Sequence, residues 1–179
     1  MHELTDDPIY RILEEQYPRM LLDYVLLSAD GAPKGKEGHK AAVIEALRVL
    51  DRRERVGNLL VHPPMTLKPA KMCCVRESPE TLFLQVDRGS TAGSLPPEKT
   101  YWEAYMYQPY PHRYGLAGFE KINAVLFPVS TRQTLEVYRW SGNFSNYFDQ
   151  GNEWWGTMLL SIFDPVLCRY VIIGASLTD

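Results

Sequence analysis

Met158-Leu159-Leu160-Ser161-Ile162-Phe163-Asp164-Pro165-Val166-Leu167-Cys168-Arg169-Tyr170-Val171-Ile172-Ile173 contains two apolar runs separated by Asp-Pro. Runs this short, rich in β-branched and aromatic residues and interrupted by a turn dipeptide, read as the two strands of a hairpin. Toward the N-terminus, Leu135, Val137 and Tyr138 read as a further strand. Phe119, Ile122, Asn123, Leu126 and Phe127 recur at helical spacing and stop at Pro128. Residues 101–107 fit two readings: the alternating tyrosines suit a strand, whereas Trp102, Tyr105 and Met106 suit a helical turn. Met72-Cys73-Cys74-Val75 and Leu82-Phe83-Leu84-Gln85-Val86 flank Glu77-Ser78-Pro79-Glu80 and read as a second hairpin. Leu59-Leu60-Val61 is a short apolar run ended by Pro63-Pro64, and residues 89–97 read as a loop.

The N-terminal third has a different periodicity. Asp6 and Asp7 precede Pro8, an N-cap followed by a first-turn proline, and Ile9, Ile12 and Leu13 share one helical face. Pro18 interrupts the pattern, which Met20, Leu21, Tyr24, Val25 and Leu26 resume as a second short helix or the far side of a kink. Lys34-Gly35-Lys36-Glu37-Gly38 reads as a polar loop. Over residues 39–53, Val43, Ile44, Leu47 and Leu50 mark the clearest helix, with arginines toward its C-terminus and Gly57 as its stop. Helices first and then a mostly antiparallel sheet indicate an α+β fold, with the N-terminal helices packed on the sheet. Residues 1–179 form one domain: residues 1–57 are mainly helical and residues 58–179 mainly β with an inserted helix.

Composition excludes several classes. The chain is 45% hydrophobic and 23% charged, the balance of a globular domain. Its net charge of -3 gives no field that would steer nucleic acid, so no nucleic-acid partner is expected. No apolar stretch reaches the roughly 20 residues that span a bilayer, and Met1-His2-Glu3-Leu4-Thr5-Asp6-Asp7 has no signal-peptide pattern. Cys73, Cys74 and Cys168 make no disulfide framework, so a reduced, cytoplasmic location is expected. No Cys-x-x-Cys or paired-histidine spacing is present, and neither a metal nor a cofactor is expected. Lys34-Gly35-Lys36 lacks the spacing of a phosphate loop. Arg48, Arg52 and Arg55 are diluted by Asp51 and Glu54 and read as a solvated helix face.

Tyr147-Phe148-Asp149-Gln150-Gly151-Asn152-Glu153-Trp154-Trp155-Gly156 concentrates carboxylates and aromatic surface more than any other stretch. On a helix, Asp149 and Glu153 would lie one turn apart on one face, where paired carboxylates bind hard cations or divide acid and base roles. The competing reading is architectural, with Asp149 capping backbone and the indoles split between core and surface. Three weaker candidates accompany it. Ser176-Leu177-Thr178-Asp179 would bring a hydroxyl and a carboxylate to a site edge. His112 and Arg113, among Tyr107, Tyr110 and Tyr114, suit an anionic or aromatic ligand. Cys73 and Cys74 on a strand would point to opposite faces, at least one of them as a small buried hydrophobe.

Tyr138-Arg139-Trp140-Ser141, Ser145-Asn146-Tyr147-Phe148-Asp149, Glu153-Trp154-Trp155-Gly156 and Ile173-Gly174-Ala175-Ser176-Leu177-Thr178-Asp179 together resemble a pattern found in a family of small bacterial proteins of unknown function. The resemblance covers about the last quarter of the chain. It implies a bacterial cytosolic protein and transfers neither an activity nor a site residue.

Without enzyme signatures, and with Tyr and Trp clustered near the C-terminus, the expected function is binding of a partner protein, of which a toxin-neutralising (immunity-type) role is one form. Trp140, Asn146, Tyr147, Asp149, Glu153, Trp154 and Trp155 are the expected contact residues, with Trp154 or Trp155 exposed. The alternative is an enzyme or small-molecule binder with a pocket of Asp149, Glu153 and Trp155, beside Tyr138 or Asp164. A homo-oligomer built on the same aromatics is the third possibility.

Overall fold

The computed structural model describes residues 1–57, 64–86, 98–108, 114–153 and 156–176, with backbone alone at 54–57. The fold is α+β. Its elements are α1 (Pro8–Gln16), β1 (Asp23–Ser28), α2 (Gly35–Gly57), β2 (Cys74–Glu77), α3 (Tyr101–Met106), α4 (Gly115–Leu126), β3 (Glu136–Trp140), α5 (Asp149–Glu153), β4 (Thr157–Asp164) and β5 (Arg169–Ser176). The strands form one sheet in the order β1-β5-β4-β3-β2, every neighbouring pair antiparallel.

Helices cover both faces of the sheet. On one face Tyr24, Leu26, Val137, Met158, Leu160, Ile162, Val171 and Ile173 meet Ile9 of α1, Tyr101 and Tyr105 of α3, and Phe119, Ile122 and Leu126 of α4. On the other, Val25, Leu27, Trp140, Leu159, Tyr170 and Ile172 meet Ala42, Val43, Ala46, Leu47 and Leu50 of α2, with Phe144 and Phe148 beside them. The two N-terminal helices therefore lie on opposite faces.

This burial on both faces explains the largest departure from the sequence reading. Tyr24-Val25-Leu26 is not helical; it lies in β1, whose last five residues are all buried. A strand covered on both sides loses the polar alternation that distinguishes a strand from a buried helix. The outer edge of β1 is closed by the N-terminus, where Leu4 N–H donates to Leu26 O at 2.9 Å and Ser28 N–H to His2 O at 2.8 Å.

The expected β4–β5 hairpin forms, and its tip is fixed by Asp164. One oxygen of this fully buried carboxylate accepts from the N–H groups of Val166 (2.9 Å) and Leu167 (3.0 Å). The other accepts from the Thr131 hydroxyl at 2.9 Å. The expected hairpin around Ser78-Pro79 does not form. Only Cys74–Glu77 is a strand and its partner is β3, while Pro79–Leu82 is a 3-10 turn. Residues 101–107 resolve as α3, because Thr100 and Glu103 make a capping box: Glu103 N–H donates to Thr100 Oγ1 (3.1 Å) and Thr100 N–H to Glu103 Oε2 (2.8 Å). The polar stretch read as a loop at residues 34–38 supplies the first turn of α2. The apolar run 59–61 and the loop 89–97 lie outside the described residues.

Candidate functional site

Residues 141–153 form a short platform on the α2 side of the sheet, and the chain fixes it at several points. Phe144 and Phe148 are fully buried with ring centroids 5.2 Å apart, and Phe144 lies 6.5 Å from Trp140. Ser145 Oγ accepts from Tyr147 N–H at 3.2 Å and starts the 3-10 turn that leads into α5. Asn146 ties down the segment beside it, accepting from Thr66 N–H (2.7 Å) and donating to Pro64 O (3.2 Å). Tyr147 donates to Asp23 Oδ2 at 2.7 Å, joining the platform to β1.

Gly151 sets how closely α5 approaches the sheet. Its N–H donates to Ser176 Oγ at 3.1 Å, and its carbonyl accepts from Gly156 N–H at 2.7 Å. A Cβ there would run into Gly156 O and come within 2.9 Å of Thr157 Cγ2 and 3.0 Å of Ser176 Cα. Asn152 Nδ2–H closes the arrangement on Gly142 O at 3.1 Å.

The sequence-predicted residues therefore divide. Asp149 and Glu153 sit at the two ends of α5 and are exposed, as are Gln150 and Asn152. Trp140 is 2% exposed and donates its indole N–H to Ser161 Oγ at 2.8 Å, so its role is in the core and not on a contact surface. Asn146 and Tyr147 are engaged in holding the platform. Trp154, Trp155, Leu177, Thr178 and Asp179 lie outside the described residues, as do Tyr110, His112 and Arg113. Asp164 is at the opposite end of β4 from α5, roughly 20 Å away at strand rise, and Tyr138 packs against His39 with the two rings tilted by 56°; neither joins the two carboxylates. Tyr107 is exposed, while the Tyr114 hydroxyl accepts from Arg19 N–H at 3.0 Å. Cys74 is half-buried, and burial pushes its thiol up, away from the thiolate a nucleophile needs; Cys73 is exposed. Among the described residues no group of three His, Cys, Asp or Glu side chains is placed to hold a metal ion.

A second polar cluster went unread in the sequence. His39, in the second turn of α2, is fully buried between aromatic rings, with centroids at 4.5 Å (Tyr138), 5.1 Å (Tyr170) and 6.5 Å (Phe163). Its Nδ1 lies 2.9 Å from Ser161 Oγ, the oxygen that also accepts from Trp140. Its Nε2 has no hydrogen-bond partner among the described residues, the Glu136 carboxylate standing 3.8 Å away. Ser, His and Glu in series suggest a nucleophile relay. Ser161 is fully buried in the middle of β4, however, and no substrate carbonyl reaches it. No signal in the sequence joins His39 to residues about a hundred positions away; only the sheet register does.

Compared with known proteins, the chain matches no family model, no curated protein and no solved structure.

Proposed function

We propose that this chain is a bacterial, cytosolic protein-binding module whose contact surface includes the outward side of α5. The observation that carries this reading is the placement of Asp149 and Glu153. Both are exposed on a backbone pinned by Gly151, Asn152 and Tyr147, facing solvent and not a set of convergent buried groups. A rigid polar ridge of this kind suits a partner surface with complementary positive charge, because it loses little conformational entropy on docking. A toxin-neutralising role is the specific form we favour, since a small acidic module acts there by occlusion alone. The small-molecule alternative needs Asp149 and Glu153 drawn together into a pocket, and both are exposed.

The test places a photo-crosslinking side chain at Gln150 and, as a control, at Glu14 of α1, which is exposed on the other sheet face. In native host lysate Gln150 is expected to give one adduct of defined mass, and Glu14 none. The pair Asp149→Lys and Glu153→Lys is expected to weaken the complex at least tenfold, mostly through slower association. The same pair should leave folding stability within about 0.5 kcal/mol. Equal labelling at the two positions, or binding indifferent to the charge reversal, overturns the assignment.

A further inference from the structure

We propose that His39 is an acid-operated latch for the start of α2: uptake of one proton by its imidazole releases residues 35–41 from the sheet while the β4–β5 hairpin stays folded. The inference is independent of the proposed function and stands on the geometry of the buried cluster.

Trp140 Nε1–H can only donate, so Ser161 Oγ accepts from it. The same hydroxyl either donates to His39 Nδ1 or accepts a second bond from it, which satisfies one nitrogen of the neutral ring. Protonation makes both ring nitrogens donors. Ser161 can take up only Nδ1–H, so the second N–H is left unpaired in a site with no exposed surface. The new charge also sits among three aromatic rings, with its Nε2–H too far from Glu136 for a hydrogen bond.

The titratable and charged groups around the ring do not compensate. β3 presents Glu136 and Tyr138, β2 presents Arg76, and β5 presents Tyr170; β4 offers only Ser161 and Phe163. On α2 itself Lys36 and Glu37 are exposed and Lys40 half-buried. Burial pushes the His39 pKa down to about 4 from the ordinary 6.5; a hydrogen bond to Ser161 raises it and the Arg76 charge lowers it, and burial outweighs both. A histidine depressed in the closed state contributes stability that is fully present above pH 6.5 and lost as pH falls from 6.5 toward 4.

The loss is local because the two ends of α2 are held differently. From Val43 onward it is fixed by the buried Val43, Ala46, Leu47 and Leu50, and by Arg53, which donates to Tyr24 O at 3.2 Å and pairs with Glu3. Its first two turns meet the sheet through Gly38 and His39, between the exposed Lys36 and Glu37 on one side and Ala42 on the other.

Hydrogen exchange between pH 7 and 4.5, corrected for intrinsic rates, tests this. Opening at residues 35–41 is expected to increase roughly 10²-fold, the span set by the two His39 pKa values, with residues 157–176 still protected. His39→Gln should make protection at 35–41 flat over the same range. Because that variant alters a buried contact, the His39 ring resonance of the unaltered protein is titrated in parallel. A midpoint near 6.5, or loss of protection in β4 and β5 at the same pH as residues 35–41, overturns the latch.

Discussion

Arg169→Met is expected to lower folding stability by about 3–5 kcal/mol, the cost of removing one partner from a buried ion pair. Arg169 is 8% exposed at the start of β5 and joins three elements. One guanidinium nitrogen donates to Asp7 Oδ2 at 2.6 Å, where Asp7 also caps α1 by accepting from Ile9 N–H at 3.0 Å. The other donates to Leu126 O (2.8 Å) and Val125 O (3.4 Å) at the end of α4, carbonyls that the helix itself leaves without donors. Methionine fills much of the volume but leaves a largely buried carboxylate without its cation and two carbonyls without their donor. For a chain of this size the loss corresponds to a fall in thermal midpoint of roughly 10 °C. Asp7→Asn keeps the cap and removes the charge, so the double variant Asp7→Asn/Arg169→Met should be less destabilised than the sum of the two single changes. Equilibrium denaturation of the four proteins measures this. Additivity would mean that the Asp7 contact is incidental and that Arg169 acts through the α4 carbonyls alone.

None of the Arg169 network is visible in the sequence, where a single arginine after Cys168 reads only as the first residue of a strand. What can be read is local. The Asp7-Pro8 start of α1, the apolar periodicity of α2 and α4 and the β4–β5 hairpin all follow from spacing and turn chemistry, and each appears in the fold. The readings fail where tertiary burial sets the pattern. β1 looks helical because helices cover both faces of the sheet, and β2 seeks its hairpin partner in residues 82–86 because nothing local points to β3. The candidate site follows the same division. The helical spacing of Asp149 and Glu153 is local and is realised in α5, whereas the core role of Trp140 and the tethering role of Tyr147 depend on Ser161 and Asp23, residues reached only across the sheet.

Gly38→Ala sets a local preference against such a tertiary constraint, and the tertiary constraint is expected to win. Inside a helix alanine is favoured over glycine by about 1 kcal/mol, so propensity alone predicts a more stable protein. A Cβ on Gly38, however, would collide with Pro33 O and with the hydroxyl of Tyr170. Tyr170 is 1% exposed and donates to that same Pro33 oxygen at 3.4 Å, so its ring has no free space to swing into. Pro33 O is backbone, in the turn just before α2, and cannot move without carrying the helix start with it. The substitution is therefore expected to destabilise by about 2 kcal/mol or more, in the range of overpacked cores. Tyr170→Phe deletes one of the two colliding atoms, so Gly38→Ala in that background should cost less than in the parent, while the Pro33 collision keeps the remaining cost above zero. Denaturant midpoints of the parent, both single variants and the double variant decide the matter. A Gly38→Ala protein as stable as the parent would show that the start of α2 can lift off the sheet at little cost, and the close approach of the helix at this glycine would then be a preference of packing and not a requirement of the fold.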